Sequence, residues 1–269
     1  MPRIKTTEYF PVFSDLPSAF DGSKIVQISD LHNADFCGKI EQKVERAKPD
    51  FIVITGDSIH KDGEYKEALS VTAHLCGIAP TYYVSGNHES VLSCYGEFCE
   101  RMRESGAVVL NNEIVTLERN GEQITLIGMS DPAFFRLKEN DGEKHTTLYP
   151  DGRKERFKQK FFELLGNIPT QNSKTFTVLL SHRPELYDFY ISCGVDITFT
   201  GHAHGGQVRV PLIGAVYAPN QGLFPRYVGG MKRDGEKYMI ISKGLGKSSF
   251  CPRIFNPPEI VTVTLCKSN

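Results

Sequence analysis

The sequence lacks the features that would place it in a membrane or in a disulfide scaffold. It has no tryptophan and no run of about 18 apolar residues, so no segment is expected to cross a bilayer as a helix. Residues 1–6 lack the apolar stretch of a secretory signal. The seven cysteines form no Cys-x-x-Cys pair, which argues against a disulfide framework and a thiolate zinc site. We therefore expect a reducing compartment, the cytoplasm.

The chain also lacks an excess of charge of either sign. It has 31 Lys and Arg against 32 Asp and Glu, a formal net charge of −1. No global field would draw it to nucleic acid or an anionic membrane, and no specific nucleic-acid partner is expected. A hydrophobic fraction of 40% and a charged fraction of 23% are ordinary for a folded globular protein. The length favours one domain spanning residues 1–269, and the sequence does not indicate an oligomeric state.

Short runs rich in β-branched and aromatic residues predict buried strands at 24–29, 50–55, 80–85, 176–181 and 196–200. Helical stripes lie between the early strands: Ile40, Val44 and Ala47 form one, and Val91, Cys94, Tyr95, Phe98 and Met102 form another. Strand, helix, strand at this spacing is a βαβ unit, which implies parallel strands. Further strand-like runs at 113–117, 123–129, 207–210, 237–241 and 260–265 fit a second sheet stacked on the first. The polar segment 131–156 is either a lid or a solvated insertion.

Each of the five buried strands is followed by residues that bind metals or move protons. These tips are Asp30-Leu31-His32, Gly56-Asp57, Gly86-Asn87-His88-Glu89, His182 and Gly201-His202-Ala203-His204. The carboxyl ends of parallel strands lie at one edge of a sheet, where ligands bind in open α/β folds, so the tips are expected to converge. Glycines in and after these tips are expected to let the backbone turn sharply: Gly56, Gly86, Gly201, Gly205 and Gly206.

The residue types at the tips indicate a pair of metal ions. Together they offer two aspartates, one asparagine and several histidines, with no thiolate. Such a set suits Mn, Fe or Zn better than Ca or Mg, which prefer oxygen ligands, or Cu(I), which prefers sulfur. A carboxylate with two oxygens can bridge two ions held about 3.5–4 Å apart.

The order of the motifs resembles that of a known family. Asp-x-His, Gly-Asp, Gly-Asn-His-Glu, a lone histidine after a strand and Gly-His-x-His follow one another, as in the calcineurin-like metallophosphoesterase superfamily. The stretch 201–207, Gly-His-Ala-His-Gly-Gly-Gln, and the segments 220–227 and 244–260 resemble its bacterial phosphodiesterase branch. The resemblance implies an α/β fold in which a two-sheet β-sandwich is flanked by helices.

The resemblance also implies a role for each tip residue. Asp30, His32 and His204 would hold one metal ion. Asn87, His182 and His202 would hold the other. Asp57 would bridge the two ions, and His88 would bind neither but would face the phosphate and protonate the leaving group.

The function implied is hydrolysis of phosphodiester bonds, or of phosphomonoester or pyrophosphate bonds, by a hydroxide that two divalent metal ions activate. Manganese is the favoured metal. A serine/threonine protein phosphatase is disfavoured, because those enzymes carry Asp-Arg-Gly after the second motif and residues 56–63 of this chain, Gly-Asp-Ser-Ile-His-Lys-Asp-Gly, lack that arginine. The alternative is a non-catalytic scaffold on the same fold. The sequence does not identify the substrate, and a pyrophosphatase acting on nucleotide-linked lipid precursors and a cell-wall phosphoesterase both stay open.

A few residues near the motifs have no assigned role. Glu89 is interpreted either as a group that orients a ligand or as a surface carboxylate at a helix start. His60, His74 and His145 lie outside every motif, and His74 is expected on a helix face. The basic run between Arg153 and Lys160 is expected to be a solvated helix face.

Overall fold

The computed structural model describes residues 3–60, 64–135, 152–168, 175–206, 209–210, 214–218, 220–247 and 253–268. The strands are β1 (Lys5–Tyr9), β2 (Val12–Phe13), β3 (Lys24–Ile28), β4 (Phe51–Thr55), β5 (Thr81–Val84), β6 (Val108–Val109), β7 (Glu113–Arg119), β8 (Glu122–Gly128), β9 (Thr177–Leu180), β10 (Ile197–Thr200), β11 (Arg209–Val210), β12 (Gly214–Ala215), β13 (Tyr217–Ala218), β14 (Gly222–Leu223), β15 (Gly230–Asp234), β16 (Lys237–Ile241), β17 (Glu259–Thr264) and β18 (Cys266–Lys267). The α-helices are α1 (Lys39–Ala47), α2 (Lys66–Ile78), α3 (Tyr95–Glu104), α4 (Arg153–Gly166) and α5 (Tyr187–Ser192).

Two six-stranded sheets dominate the architecture. The first has the order β1-β17-β3-β4-β5-β6 and the second has the order β15-β16-β10-β9-β8-β7. Strands β3, β4, β5 and β6 run parallel to one another, as the βαβ pattern predicts, whereas β17 is antiparallel to β3. In the second sheet β8, β9, β10 and β16 are parallel, while β7 and β15 are antiparallel edge strands.

Alternate residues of the central strands face different layers. Phe51 and Val53 of β4 point into the core between the two sheets, whereas Ile52 and Ile54 point toward the helices that cover the first sheet. Because both faces of these strands are buried, their sequences are continuous apolar runs. The helices α1, α2 and α3 cover the first sheet, and α4 and α5 cover the second. The predicted fold class, a two-sheet sandwich flanked by helices, is confirmed.

The core between the sheets includes residues from Phe13 to Leu265, near both ends of the chain. That the chain is a single domain stays a prediction, which this shared core supports.

One helix begins later than its apolar stripe predicts. Val91 lies in a separate 3-10 helix, Glu89–Val91, and its side chain is exposed. Leu92 then adopts an extended conformation, so that α3 starts only at Tyr95. The structure also contains helix α2, whose apolar positions Ala68, Val71 and Leu75 are buried. His74 was expected on a helix face, but the sequence reasoning did not identify this apolar stripe.

Two sequence expectations fall largely outside the described residues. Of the polar segment 131–156, residues 136–151 lie outside them, Pro132–Phe135 forms a 3-10 helix and α4 begins at Arg153. Of the strand predicted at 207–210, only Arg209–Val210 is described. Within the described ranges, no helix combines the length and apolar character that a membrane crossing requires. The cysteines in those ranges are free thiols.

Candidate metal centre

The carboxyl ends of strands from both sheets meet at one edge of the sandwich. Gln27 of β3 is buried between the sheets, and its Nε2 donates to Thr55 Oγ1 at 2.9 Å and to the Thr200 carbonyl oxygen at 2.8 Å. His182 Nδ1 lies 2.7 Å from the carbonyl oxygen of Thr55, across the same junction. These contacts bring the loops after β3, β4, β5, β9 and β10 together. A glutamine inside an apolar strand is the sequence signal that could have revealed the junction.

One group of side chains gathers around Asp30. One ligand atom each from Asp30, His32, Asp57 and His204 lies within 4.8 Å of the others, and all four residues are buried. His32 Nε2 is 3.2 Å from His204 Nε2, and His204 Nε2 is 3.4 Å from Asp30 Oδ1. Imidazole nitrogens and carboxylate oxygens at this mutual distance form the donor set of a first-row divalent cation.

A second group shares Asp57 with the first. One ligand atom each from Asp57, His182 and His202 lies within 4.8 Å of the others, and His182 Nε2 is 3.3 Å from Asp57 Oδ2. Asn87 Oδ1 is buried and has no hydrogen-bond partner within the described part of the chain. A buried carbonyl oxygen without a donor is costly, and a cation would satisfy it. The donor atoms therefore fit a pair of metal ions, and all seven residues predicted as ligands are found at this edge.

His88, the predicted proton donor, lies beside both groups but belongs to neither. Its Nε2 is 3.9 Å from Asp57 Oδ2, and its backbone N–H donates to Asp57 Oδ1 at 2.9 Å. The rings of His88 and His32 are 4.6 Å apart between centroids. The ring of His60 lies 5.4 Å from that of His88, although the sequence assigned His60 no role.

Asp57 and His182 form the most strongly polarised pair of the site. Burial acts to lower the pKa of His182, but the charge and hydrogen bond of Asp57, together with the charges of Asp30 and Asp131, outweigh burial and raise this pKa to about 10. Burial acts to raise the pKa of Asp57, but interactions with the nearby His182, His88 and His32 lower it by more. This pKa therefore lies well below its ordinary value. Without a metal ion, the pair is an imidazolium next to a carboxylate.

The imidazoles of His32, His202 and His204 are held neutral. Burial lowers the pKa of His32 to about 3. Burial also lowers the pKa of His202 and of His204 well below the ordinary value, reinforced by the charge of Arg183 at His202. A neutral imidazole keeps a lone pair for a cation, and these shifts therefore favour metal binding at neutral pH.

Two other buried carboxyl groups have raised pKa values, whereas the pKa of Asp57 is lowered. Burial raises the pKa of Asp30 to about 6, and the negative charge of Asp57 adds to the shift. Burial and the same charge raise the pKa of Glu89 to about 8. A pair of cations at the site would offset the repulsion between these carboxylates.

Glu89 ties two of the metal-binding loops together. Its Oε2 accepts the backbone N–H groups of Asp57 at 3.1 Å and of Gly86 at 2.9 Å, and its Oε1 accepts that of Ser58 at 2.7 Å. The side chain is fully buried. Of the two interpretations that the sequence left open, the surface carboxylate is excluded, and Glu89 positions the loop that carries Asp57.

Five of the thirteen non-glycine residues with left-handed φ angles in the described chain belong to this site. Left-handed φ angles occur at Asp30 (51°), His32 (48°), Asp57 (50°), His202 (65°) and His204 (46°). Such angles are uncommon outside glycine and persist where the surrounding structure enforces them, often at functional sites. Here they turn side chains from five separate positions toward one point.

A hydrogen-bonded shell that the sequence reasoning missed surrounds His202 and His204. Arg183 forms a paired contact with Asp131, with Nε 2.5 Å from Oδ2 and Nη2 3.0 Å from Oδ1. Arg253 Nη2 lies 3.4 Å from His204 Nδ1, and Asn256 donates from Nδ2 to the His204 carbonyl oxygen. The position of Arg183 directly after His182 was the one available signal for the first contact.

Comparison with known proteins places this centre in a family. Residues 23–206 match the family model described as calcineurin-like phosphoesterase. The chain is 28% identical to the uncharacterized metallophosphoesterase YkuE of Bacillus subtilis, over 99% of this chain and 87% of that protein. It is 27% identical to the phosphodiesterase YaeI of Escherichia coli, over 90% of this chain and 82% of that protein.

The fold has a solved counterpart. A dimetal phosphatase from Danio rerio superposes with a TM-score of 0.50 at 14% identity, over 83% of this chain and 88% of that chain. Because the family model matches more than half of the sequence, the chain belongs to the calcineurin-like phosphoesterase family.

Proposed function

We propose that this protein is a dinuclear metal-dependent phosphodiesterase. One observation carries the proposal: Asp57 belongs to both groups of metal-binding side chains, so that its carboxylate can bridge two ions. In this proposal Asp30, His32 and His204 bind one ion and Asn87, His182 and His202 bind the other. The donor set suits manganese, iron or zinc, and manganese is favoured.

Two bound cations would lower the pKa of a shared water toward about 7 and neutralise the phosphoryl oxygens. The protein's own residues do the rest. Asn87 supplies an uncharged oxygen donor, which leaves more positive charge at its ion than a third carboxylate would. His88 faces the substrate side of the centre and gives a proton to the departing alkoxide, a contribution of about 10²–10⁴-fold in general acid catalysis.

The choice of a diester over a monoester rests on two supports. The relative YaeI is named a phosphodiesterase. Residues 56–63 contain no arginine, whereas serine/threonine protein phosphatases of the same superfamily carry Asp-Arg-Gly after this motif. Family membership by itself supports a hydrolase of phosphate esters.

The test is hydrolysis of bis(p-nitrophenyl) phosphate and of p-nitrophenyl phosphate by metal-stripped protein, with Mn²⁺, Fe²⁺ or Zn²⁺ added singly. We expect the diester to be turned over faster, two ions per chain by elemental analysis, and loss of turnover with EDTA. Asp57→Asn should lose ions from both positions. His74→Asn is the matched control, because His74 is exposed on α2.

Two outcomes would contradict the proposal. Two ions retained by Asp57→Asn would remove the bridging role. An absence of metal-dependent hydrolysis with every ion would favour the alternative, a non-catalytic scaffold. A cytoplasmic location stays a prediction that rests on the cysteine pattern.

A further inference from the structure

A cavity of about 670 Å³ opens directly beside the metal centre. His32, one of the candidate ligands, forms part of its wall. Its apolar lining comes from Ala34, Phe36, Leu245, Phe255, Pro257 and Pro258. Its volume falls in the range of about 300–1,000 Å³ that is typical of small-molecule sites.

Three charged side chains line this cavity. Arg253 lies next to the metal centre, and Lys247 and Asp35 are exposed to solvent. Arg253 lines the cavity and reaches His204 with Nη2, while its Nε donates to the Gly246 carbonyl oxygen at 2.8 Å. Its Nη1 is buried without a hydrogen-bond partner among the described residues. Lys247 adds a second cation, and the exposed Asp35 adds one carboxylate.

An arginine that is largely desolvated and has a free N–H group is a binding site for an anion. In the described part of the chain, no carboxylate forms an ion pair with Arg253 within 4.0 Å. Because Arg253 Nη2 contacts His204, a phosphoryl group held at the metal centre would be near this guanidinium. Any substituent of that phosphate directed past His32 would enter the apolar part of the cavity.

We propose that the cavity binds an alkyl or acyl chain attached to the scissile phosphate, so that the substrate is an amphiphilic phosphodiester. Arg253 binds the phosphate oxygens. Ala34, Leu245 and Phe255 hold the chain. This inference rests on the proposed function, because it names the substrate class of the same centre. A sugar or a nucleobase would use the polar side chains of the lining, which are His32, Asp35, Lys247, Arg253 and Asn256. The other seven of the twelve lining residues carry no polar side-chain group, and an alkyl or acyl chain fits them better.

The first test is the chain-length dependence of hydrolysis. The probes are methyl, butyl and octyl p-nitrophenyl phosphodiesters, all below their micelle concentrations. Each methylene that enters an apolar site is worth about fourfold, so three buried methylenes raise kcat/KM about 60-fold. A thymidine 5′-p-nitrophenyl ester that reacts faster than the octyl ester would overturn the inference.

Variants locate the effect in the cavity. Ala34→Phe fills the space, and Phe255→Ser removes an apolar wall from a residue that is 73% exposed, so both should reduce the octyl-to-methyl ratio of kcat/KM. Phe10→Ser is the matched control, because Phe10 is 59% exposed. It follows β1, which is parallel to β17 and antiparallel to β3, so it lies at the opposite edge of the sheet. An unchanged ratio in both cavity variants would overturn the inference.

Binding provides a readout that does not need turnover. Octylphosphonate and methylphosphonate, which contain no scissile ester, are titrated calorimetrically into the metal-loaded protein. We expect octylphosphonate to bind about 60-fold more tightly, for the same three methylenes. Arg253→Met should weaken both phosphonates alike, with the metal content checked by elemental analysis. Phe255→Ser should weaken only octylphosphonate.

The two proposals fail separately. Hydrolysis of diesters with no dependence on chain length, and equal affinities for the two phosphonates, would overturn the cavity assignment and leave the phosphodiesterase proposal intact. Tight octylphosphonate binding without hydrolysis of any ester would support the cavity as an alkyl phosphate site and overturn the phosphodiesterase proposal.

Discussion

Nη1 of Arg183 lies 2.9 Å from Nε2 of His202. A guanidinium can only donate, so Nε2 of this imidazole is the acceptor, and Asn220 Nδ2 contacts the same nitrogen at 2.8 Å. In the neutral, metal-free ring the proton is therefore on Nδ1, and a cation at Nδ1 would have to replace that proton. Because Asp131 fixes Arg183 from the other side, the network determines both the tautomer and the orientation of this ring.

Removing Arg183 should weaken one metal position. Arg183→Met leaves Asp131 buried without its partner, and breaking a buried ion pair costs about 3–5 kcal/mol of stability. Loss of an outer contact to a metal-binding histidine lowers metal affinity about 10–100-fold. We expect denaturation to show the first effect and a competitive chelator titration to show the second, at one ion only. Arg101→Met, at an exposed position of α3, is the control, and wild-type affinity for both ions in Arg183→Met would contradict the role.

The sequence predicted the strands that carry the site, because both faces of these strands are buried and their apolar runs are continuous. It also predicted the residues at the strand tips, since parallel strands end at one edge. It could not predict Arg183 with Asp131, Arg253 with His204, or the three N–H groups at Glu89, because each contact joins segments that only the folded chain brings together. The contact between Arg183 and Asp131 spans 52 positions in the sequence.

Gly86 and Gly201 are required for close packing and not for the sharp backbone turns that the sequence predicts. Gly56, Gly205 and Gly206 do adopt left-handed angles, as sharp turns require. Gly86 and Gly201 do not need them. A Cβ on Gly86 would collide with Oδ1 of Asp57, and one on Gly201 would collide with Ser29 Oγ and Asp30 Oδ2. These glycines allow the backbone to approach the carboxylates closely, a spatial requirement that the sequence does not reveal.

Gly86→Ala should therefore impair metal binding and lower stability, because the added Cβ would collide with both the carboxylate and the backbone nitrogen of Asp57. The added methyl group would displace the Asp57 carboxylate, and we expect a loss of about 10–100-fold in metal affinity, as for other disturbances next to ligands. The measurement is metal content after dialysis against a weak chelator. Gly77→Ala in α2 is the matched control, since a Cβ there meets nothing within 4 Å in the described chain. Equal metal content in the two variants would show that the carboxylate tolerates displacement.

Glu89 offers a test of loop positioning. Glu89→Gln keeps one oxygen, which can still accept the N–H groups of Asp57 and Gly86, but its amide group would face the N–H of Ser58. An unsatisfied buried donor costs about 1–3 kcal/mol. We expect a lower denaturation midpoint and weaker metal binding, whereas Glu97→Gln, at a surface position of α3, should change neither. Wild-type stability in Glu89→Gln would indicate that the loops do not depend on this carboxylate.

His88→Ala distinguishes a proton donor from a metal ligand. The variant should retain both ions, because His88 lies outside both metal-binding groups. Turnover should fall by about 10²–10⁴-fold for diesters with an alkoxide leaving group and far less for p-nitrophenolate, which leaves without a proton. The comparison of the two leaving groups in wild type and variant is the measurement. An equal loss with both leaving groups would assign His88 to another role.

The metal-free protein should lose stability as the pH rises from about 7 to 9. His182 has a pKa of about 10 in the folded chain and near 6.5 when unfolded, so the folded state holds an extra proton in this interval. Stability from a raised pKa is present below the unfolded value and is lost as the pH rises toward the folded value. Glu89, whose pKa is raised to about 8, also lowers the stability of the folded chain as the pH rises to that value.

The low pKa values of His32, His202 and His204 act only below about pH 6.5, so they leave this interval unaffected. Urea denaturation of chelator-treated protein at pH 7, 8 and 9 measures the slope, which His182→Asn should reduce and His74→Asn should not. A metal-free wild type whose stability rises over this interval would show that His182 is not held protonated by Asp57.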